Sequence, residues 1–414
     1  MQNKKLLILT SRFPYEGGEY FLETEVKYWR KVDGVDVYLL PFFRTEGLRD
    51  YPDWVTLRGE NSGRGSRSHR LGYLVTALIS PLFWGEFVGL IKKRNLNAAN
   101  LTRALLMISR IFQIKKTIKT LAEEVGEIDL VYSYWNSTSS YAAALLKKEG
   151  LIKKIITRAH GSDLYRYALK NEYMPLKERV VNQFDIVATV SSGGRKYYTE
   201  EYSARPEKVL VSRLGVEIDG RASRVTESNC FSLVSISNCV KIKRLEVVAE
   251  GILIFAVRNP EVHVTWTHIG DGPTLAEIED LWNKRSTGLK NLSASFLGRL
   301  PNKAVIDFLA EHPCDLIVNA SASEGVPVSL MEAMSLGIPA LAPRIGGIPE
   351  LISDARGFLL PPMPTPDDLA KGLELSFPSA KDPKFREGVS RFIAQEYAAS
   401  KVYSDFYELV LSGL

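Results

Sequence analysis

Two glutamates eight positions apart, Glu324 and Glu332, flank a tight turn that leads into a helix-forming stretch. The turn contains Gly325 and Pro327, and the segment 314–320 before it (CDLIVNA) is typical of a short buried strand. A strand, a tight loop and a helix N-terminus form an anion site, because the first N–H groups of the helix are free and its dipole favours negative charge. Carboxylates on either side suit a phosphate that carries hydroxyls on both sides, as in a nucleotide sugar.

Short apolar runs alternate with helical patterns along most of the chain, in two successive series. The first series predicts strands at 6–10, 35–40, 129–134, 154–160, 186–191 and 208–215. The second predicts strands at 231–237, 263–270, 294–298, 315–321 and 338–344, with helical spacing between them, as in 245–252 and 304–312. Such alternation indicates parallel sheets with helices on both faces. The predicted fold class is therefore α/β, with two Rossmann-like doubly wound domains.

Length and composition agree with two globular domains. A chain of 414 residues is too long for one ordinary core. The polar segment 217–230 predicts a boundary between an N-terminal domain, 1–220, and a C-terminal domain, 221–397. Three scattered cysteines (Cys230, Cys239 and Cys314) fit a reducing compartment. The first apolar run has only four residues, too short for a signal peptide, so we expect a cytoplasmic protein.

A basic helical insert at about 61–120 departs from the alternation. It opens with a Gly/Ser-rich basic segment, 61–70, expected to be mobile. Leu71–Ile91 is long enough for a transmembrane helix, but Pro81, Gly85, Glu86 and Gly89 interrupt it. No acidic residue occurs from 87 to 122, a stretch with eight positive charges at Lys92, Lys93, Arg94, Arg103, Arg110, Lys115, Lys116 and Lys119. This pattern predicts a surface that sits on anionic lipid. The alternative is a helix pair packed on the sheet with a solvated basic face.

Five segments of the second half occur in a recognisable order: IGDGPTLAEIEDL (269–281), FLGRLPNKAVIDFL (296–309), SEGVPVSLMEAMSLGIPALA (323–342), GGIPELI (346–352) and GFLLPP (357–362). Their order and spacing resemble those of the retaining glycosyltransferases of family 4, which have the GT-B fold. The first half resembles a bacterial polysaccharide-type branch of that family more loosely, through segments 132–146, 157–166 and 187–198. The resemblance implies two domains facing a cleft, with the C-terminal helix, about 398–414, crossing back to the first.

The resemblance also implies roles in a donor site. Glu324 would accept hydrogen bonds from the sugar and stabilise a developing oxocarbenium ion, its alternative being an ordinary helix N-cap. Glu332 would bind ribose hydroxyls, its alternative being a solvated helix residue. Lys243 would neutralise the leaving diphosphate. Further donor contacts are expected at Gly18, Gly270, Gly272, Arg299, Gly325, Val328, Ser329 and Leu330.

One donor position departs from the family pattern. The family's arginine after the first strand of the second domain is replaced here by Asn238, which removes a positive charge from the diphosphate site. Lys241 or Arg244 could compensate, although Arg244 is expected just past the site.

In the N-terminal half, His160 ends a strand and is expected to contact the transferred sugar or the acceptor. Asp163 would orient its loop or meet the acceptor. Tyr134 and Trp135 would stack on an acceptor sugar, with core packing as the alternative. Gly18, next to Gly17 after the first strand, would let backbone approach the reaction centre, unless this loop is an ordinary turn.

The implied activity is transfer of a hexose, with retention, from a UDP- or GDP-linked sugar to a hydroxyl of a glycan or lipid-linked saccharide. No metal or other cofactor is expected, since Asp-x-Asp is absent from the sequence. No nucleic-acid partner is expected. An anionic surface at the inner face of the membrane is an expected partner. Two alternatives stay open: a nucleotide-sugar epimerase or phosphorylase on the same fold, and a non-catalytic two-lobed sugar-binding protein.

Overall fold

The structure is a computed structural model that describes residues 3–59 and 67–414, and its strands form two parallel sheets. The first seven strands are β1 (Lys4–Thr10), β2 (Val35–Pro41), β3 (Thr56–Leu57), β4 (Ile128–Ser133), β5 (Ile152–Ala159), β6 (Ile186–Thr189) and β7 (Val209–Val211). The other six are β8 (Cys230–Ile236), β9 (His263–Ile269), β10 (Leu292–Phe296), β11 (Leu316–Val318), β12 (Ala340–Pro343) and β13 (Gly357–Leu360). All eleven predicted strands are present; β3 and β13 were not predicted.

Fifteen α-helices connect the strands of the described residues. They are α1 (Leu22–Glu25), α2 (Arg67–Leu78), α3 (Pro81–Lys92), α4 (Ala98–Val125), α5 (Thr138–Lys148), α6 (Lys177–Val180), α7 (Ser192–Glu201), α8 (Leu245–Arg258), α9 (Leu275–Arg285), α10 (Asn302–Glu311), α11 (Val328–Ser335), α12 (Ile348–Leu351), α13 (Pro366–Ser376), α14 (Pro383–Glu396) and α15 (Ala399–Ser412). Short 3₁₀-helices occur at Val26–Tyr28, Arg166–Ala168, Lys170–Glu172, Val181–Gln183, Pro206–Lys208 and Lys241–Lys243.

The chain divides into two units, each built on one sheet. Unit 1 comprises Met1–Arg213 with Tyr403–Leu414, and unit 2 comprises Leu214–Val402. The chain thus passes from unit 1 to unit 2 after Arg213, seven residues before the predicted boundary at 220. The insert is helical where it is described, in α2, α3 and α4. Residues 61–66 of the segment expected to be mobile lie outside the described residues.

Unit 1 has the strand order β3-β2-β1-β4-β5-β6-β7. Every residue of β4 is buried, as expected for a parallel strand covered on both faces. The C-terminal helix belongs to this core: Phe406, Tyr407 and Val410 pack with Leu6 and Ile8 of β1. The prediction that the C-terminal helix returns to the first domain is therefore confirmed.

Unit 2 has the strand order β10-β9-β8-β11-β12-β13. Its core includes the fully buried Trp266 of β9 and the apolar faces of α8 and α13. Because all its strand pairings are parallel, the carboxyl ends of the strands share one edge of the sheet. The loops that follow β8, β9, β10 and β11 therefore meet there, where open α/β sheets bind ligands.

Candidate active site

A lysine and a glutamate from distant parts of the chain meet at this edge of unit 2. Lys243 Nζ donates to Glu324 Oε1 at 2.6 Å, across 81 positions of sequence. Asn319, just after β11, donates to the same oxygen from its Nδ2 at 3.3 Å. The Asn319 side chain also accepts from the Ser321 N–H at 2.8 Å. The structure thus brings together two of the predicted catalytic residues and adds Asn319, which the sequence analysis missed.

The N-terminus of α11 begins four residues after Glu324. Its N-cap residue is Pro327, which supplies no side-chain hydrogen bond, so the first N–H groups of the helix lack a side-chain cap. The Leu330 N–H donates to the Pro327 carbonyl at 3.2 Å. The Leu330 N–H is therefore already engaged within the helix, and the predicted phosphate contact by this residue is not supported.

A buried hydroxyl adds an unsatisfied group to this loop. Ser321 is almost fully buried, and its Oγ has no hydrogen-bond partner among the described residues. Buried polar groups are nearly always hydrogen-bonded, so this hydroxyl is available to a ligand or a water molecule. No sequence pattern distinguishes this residue, because serine is common in loops.

Close backbone contact fixes the loop that carries Glu324. The Gly347 N–H donates to the Gly325 carbonyl at 2.6 Å. A Cβ atom on Gly346, whose φ is +51°, would lie 1.9 Å from the Glu324 carbonyl oxygen. Any other residue at 346 would displace the loop, so the glycine pair positions Glu324.

The glycine turn after β9 is packed in the same way against the loop after β8. A Cβ on Gly270 would lie 1.8 Å from the Ser237 carbonyl oxygen, and one on Gly272 would lie 2.5 Å from that of Cys239. His268 of β9 is buried beside β8, with its Nδ1 2.8 Å from Ser235 Oγ and its Nε2 3.2 Å from Cys239 Sγ. Burial lowers the pKa of His268 to about 4, so it acts as a neutral structural bridge. Gly270 and Gly272 thus position the loop that leads to Lys243.

Glu332 lies in the middle of α11 and is partly buried. Its Oε1 accepts from Asn302 Nδ2 at 2.7 Å. Burial raises the pKa of Glu332 to about 7, although the Asn302 hydrogen bond opposes the shift. Glu332 is thus partly buried and hydrogen-bonded, and carboxyl groups with a perturbed pKa are enriched at functional sites.

Arg244, one of the two candidates to compensate for the missing arginine, contacts another loop of unit 2. Asn238 is exposed at the loop after β8. Arg244 has a left-handed backbone conformation, and its Nη2 donates to the Pro364 carbonyl at 2.9 Å. Lys241 and Arg299 are both exposed, and nothing in the structure fixes a role for either.

In unit 1, His160 follows β5 and is buried among aromatic rings. Its ring centroid lies 4.6 Å from that of Trp135, 4.8 Å from that of Tyr134 and 6.1 Å from that of Phe21. Its Nδ1 lies 3.6 Å from Asp163 Oδ2. Its Nε2 is buried and has no hydrogen-bond partner among the described residues, although buried polar atoms are nearly always hydrogen-bonded.

Asp163 is fully engaged inside the protein. Its two carboxylate oxygens accept from the His160 N–H at 2.7 Å and the Asn136 N–H at 2.9 Å. Burial alone would raise the pKa of Asp163, but hydrogen bonding to His160 and the charges of His160 and Lys177 outweigh it, so the pKa is lowered. Asp163 therefore orients the His160 loop, and the expected acceptor contact by this residue is not supported.

A buried lysine lies beneath the same loop and was missed by the sequence analysis. Lys177 Nζ donates to the backbone carbonyls of Asn136 and Asp163 and to the Asn136 side chain. Burial lowers the pKa of Lys177 to about 7, with Asp163 opposing the shift. Its ammonium also lies 5.2 Å from the centroid of the Tyr198 ring. This network joins the loops after β4 and β5.

The loop after β1 folds around another buried carboxylate, Glu19. It accepts from the backbone N–H groups of Ser11, Arg12 and Phe13 at 2.6–2.8 Å. Trp135 Nε1 donates to it at 2.6 Å. The loop around Gly17 and Gly18 is thus more than a simple turn, and it fixes the Trp135 ring beside His160.

The two aromatic candidates differ in exposure. Tyr134 is fully buried and stacks on Phe21 with ring centroids 5.3 Å apart, so the core-packing alternative holds for it and its expected acceptor contact is not supported. Trp135 is only partly buried. It lines a cavity of about 250 Å³ in unit 1, together with Thr10, Ser137 and Ser162. Of the two aromatic candidates, Trp135 is therefore the one that lines this cavity, where Phe42 and Phe43 are its aromatic neighbours.

Comparisons with known proteins identify a matching family and relatives in polysaccharide synthesis. Residues 230–375 match the family described as Glycosyl transferases group 1. A protein of Escherichia coli K12, named as a colanic acid biosynthesis glycosyltransferase, is 27% identical over 234 residues, or 53% of this chain and 54% of that protein. The chain thus matches about half the length of this relative. An amylovoran biosynthesis glycosyltransferase of Erwinia amylovora is 22% identical over 378 residues, which cover 86% of this chain and 87% of that protein.

A solved structure covers the whole chain. The Anabaena protein HepE, in complex with UDP and glucose, superposes with a TM-score of 0.67 over 100% of both chains, at 18% sequence identity. A likeness at this identity establishes the fold. Residues 230–375 therefore belong to the glycosyl transferases group 1 family, and the chain has the GT-B fold.

Proposed function

We propose that the protein is a retaining glycosyltransferase that moves a sugar from a nucleotide diphosphate-sugar to a hydroxyl of a glycan in bacterial surface polysaccharide synthesis. The observation that carries the proposal is the 2.6 Å contact between Lys243 Nζ and Glu324 Oε1, beside the uncapped N-terminus of α11. A cation, a carboxylate and helix N–H groups at one place suit a diphosphate that carries a sugar.

The relatives support the substrate class. Two of them are named for the biosynthesis of colanic acid and amylovoran, and a protein of the same fold has been solved with UDP and glucose. A UDP- or GDP-linked hexose is accordingly the donor we propose.

The residues of unit 2 suggest how transfer proceeds. When the donor binds, Lys243 exchanges Glu324 for the diphosphate, and the N–H groups of Val328 and Ser329 bind the phosphate oxygens. Glu324 is then free to accept hydrogen bonds from the sugar and to stabilise positive charge at the anomeric carbon. Charge placed in advance where it develops in the transition state is usually the largest catalytic contribution.

Retention follows if the acceptor attacks on the face that the diphosphate leaves. The bond from the anomeric carbon to the phosphate oxygen breaks, the bond to the acceptor oxygen forms, and the acceptor proton passes to the departing diphosphate. No side chain has to serve as a covalent nucleophile. Lys243 and the α11 N-terminus supply the positive charge, so we expect transfer to continue in excess EDTA.

Unit 1 would bind the acceptor, for which we propose a lipid-linked saccharide at the cytoplasmic face of the membrane. The Nε2 of His160, which has no partner among the described residues, and the Trp135 ring beside the 250 Å³ cavity are its candidate contacts. An aromatic face with a nearby hydrogen-bonding group matches the apolar and polar faces of a sugar ring.

A two-step experiment tests the proposal. A thermal-shift panel of UDP-, GDP- and ADP-sugars identifies the donor, because a ligand that binds only the folded state raises the melting temperature. NMR of the product then reports its anomeric configuration. We expect retention, no reaction without an acceptor, and no transfer by Glu324→Ala, which should fold normally. Conversion of the donor in the absence of acceptor would instead indicate an epimerase, and full activity of Glu324→Ala would overturn the proposal.

A further inference from the structure

Two helices of unit 1 expose apolar stripes that the fold does not cover. In α2 and the residue after it, Leu71, Val75, Leu78 and Ile79 are all exposed, with Ile79 72% exposed. Their spacing of four, three and one places them on one face of a helix. In α3, the exposed residues Trp84, Val88 and Ile91 recur at the same helical spacing.

These stripes are separate from the faces that hold the helices in place. Ala77, Phe83 and Leu90 are the residues of α2 and α3 that are buried in the core of unit 1. Packing is thus satisfied on one side of each helix. Neighbouring apolar side chains that a protein leaves exposed commonly mark an interaction site.

The chain segment that follows the stripes carries cations and no acidic residue of its own. Lys92 and Arg94 are exposed where α3 ends, and the sequence has no acidic residue from 87 to 122. The one acidic residue of α3, Glu86, accepts from Tyr173 Oη at 2.7 Å and from Arg179 Nε at 3.0 Å. Glu178 forms an ion pair with Lys93 at the end of α3. Lys92 and Arg94 are therefore the exposed cations there that an anionic partner would meet beside the apolar side chains.

The length of the helices favours lying on a bilayer. Among residues 3–59 and 67–414, no single helix is long and apolar enough to cross a membrane. The helices Arg70–Leu78 and Pro81–Lys92 reach that length and composition only as a pair, and they are bent by 56°. Amphipathic helices with Trp on the apolar face and cations at the rim are typical of the membrane interface.

We propose that the surface formed by Leu71, Val75, Leu78, Ile79, Trp84, Val88 and Ile91 inserts into the headgroup region of an anionic bilayer, with Lys92 and Arg94 at the lipid phosphates. Insertion of the apolar side chains supplies most of the affinity, and each cation adds a salt-dependent attraction to an anionic surface. The evidence for this membrane surface is independent of the evidence for the donor site. It deepens the proposed function, because a lipid-linked acceptor is held at such a surface.

Vesicle flotation tests this surface directly. The intact protein is mixed with vesicles of phosphatidylcholine alone or with 30 mol% phosphatidylglycerol, and the bound fraction is measured at low and high salt. We expect stronger binding to the anionic vesicles, partly reduced by salt. The double variant Ile79→Glu/Val88→Glu should bind at least 10-fold more weakly.

A matched control separates this surface from exposed apolar residues in general. Leu375 in unit 2 is also 72% exposed, so the double variant Val257→Glu/Leu375→Glu introduces the same charges elsewhere and should bind vesicles as the wild type does. Donor binding by both variants should be unchanged, so that a failure here is distinguishable from a failure of the proposed function. Equal vesicle binding by both double variants, or recovery of the wild type in the soluble fraction at low salt, would overturn the proposal. So would a wild-type dimer that Ile79→Glu/Val88→Glu converts to a monomer without vesicles.

Discussion

The raised pKa of Glu332 leads to a specific prediction about how donor binding depends on pH. If the carboxylate accepts hydrogen bonds from the ribose hydroxyls, only the ionised form binds the donor well. With a pKa of about 7, Glu332 is ionised in about 90% of molecules at pH 8 and in roughly 3% at pH 5.5. Apparent affinity scales with the competent fraction. The Kd should therefore rise about 30-fold as the pH falls from 8 to 5.5.

Isothermal titration calorimetry with the best donor of the panel measures this effect. A nucleotide diphosphate-sugar is preferable to a free nucleoside diphosphate, because a terminal phosphate itself titrates near pH 6. At pH 6, binding should release close to one proton, which appears as a dependence of the measured heat on the ionisation enthalpy of the buffer. Glu332→Gln should bind weakly at every pH and release no proton.

The same group makes a linked prediction for stability. The folded protein keeps the Glu332 proton up to a higher pH than the unfolded chain does, so between about pH 4.5 and 7 the folded state binds more protons. Its contribution to stability therefore falls as the pH rises through this window. Glu387→Gln removes an exposed glutamate from α14 and should alter neither profile. A pH-independent Kd in the wild type, or the same pH dependence in Glu332→Gln, would refute this reasoning.

Three further predictions concern the loops that position the site. Gly270→Ala places a Cβ 1.8 Å from the Ser237 carbonyl oxygen and should cost more than about 2 kcal/mol of stability and weaken donor binding. The control Gly288→Ala, at φ +90° with nothing within 4 Å, should cost about 1 kcal/mol of stability and leave donor binding intact. Equal losses of stability in the two variants, measured by thermal unfolding, would contradict the packing argument. Because burial lowers the pKa of Lys177 to about 7, the unfolded chain binds more protons than the folded protein above that pH. The melting temperature should therefore rise from pH 7 to 9, and Lys177→Met should flatten this rise. An unchanged slope in Lys177→Met would show that Lys177 is not the group responsible. Glu19→Ala leaves three backbone N–H groups and the Trp135 indole without their acceptor, so hydrogen exchange of residues 11–20 should accelerate at least 10-fold, and unchanged protection would show that the carboxylate does not hold the loop.

Much of the fold could be predicted from the sequence because strands of parallel sheets are short and uniformly apolar. The two strands that were not predicted have physical reasons. β3 has only two residues, Thr56 and Leu57, which is too short to show a pattern. β13 begins at Gly357, where a Cβ would lie 2.5 Å from the Ala340 carbonyl oxygen. The only sequence signal of this close strand contact is the glycine itself.

The site was predicted only where several residue types recur in a fixed order. Glu324, Glu332 and Lys243 belong to such a pattern. The partners that support them do not: Asn319, Asn302 and Ser321 are ordinary polar residues whose importance comes from tertiary contacts. Lys177 and Glu19 are likewise charged residues that composition places at the surface, whereas the structure buries both. Tyr134 could not be assigned from the sequence, because a buried aromatic residue and one that stacks on a sugar have the same sequence signature.

The most direct test of the central claim is the donor affinity of Lys243→Met, measured by calorimetry beside the wild type and Lys371→Met, which removes an exposed lysine from α13. A hydrogen bond to a charged group contributes about 1.5–3 kcal/mol, so Lys243→Met should bind the nucleotide sugar roughly 10- to 150-fold more weakly. Lys371→Met should match the wild type. Wild-type affinity in Lys243→Met would contradict the placement of the donor diphosphate at Lys243, Glu324 and the start of α11.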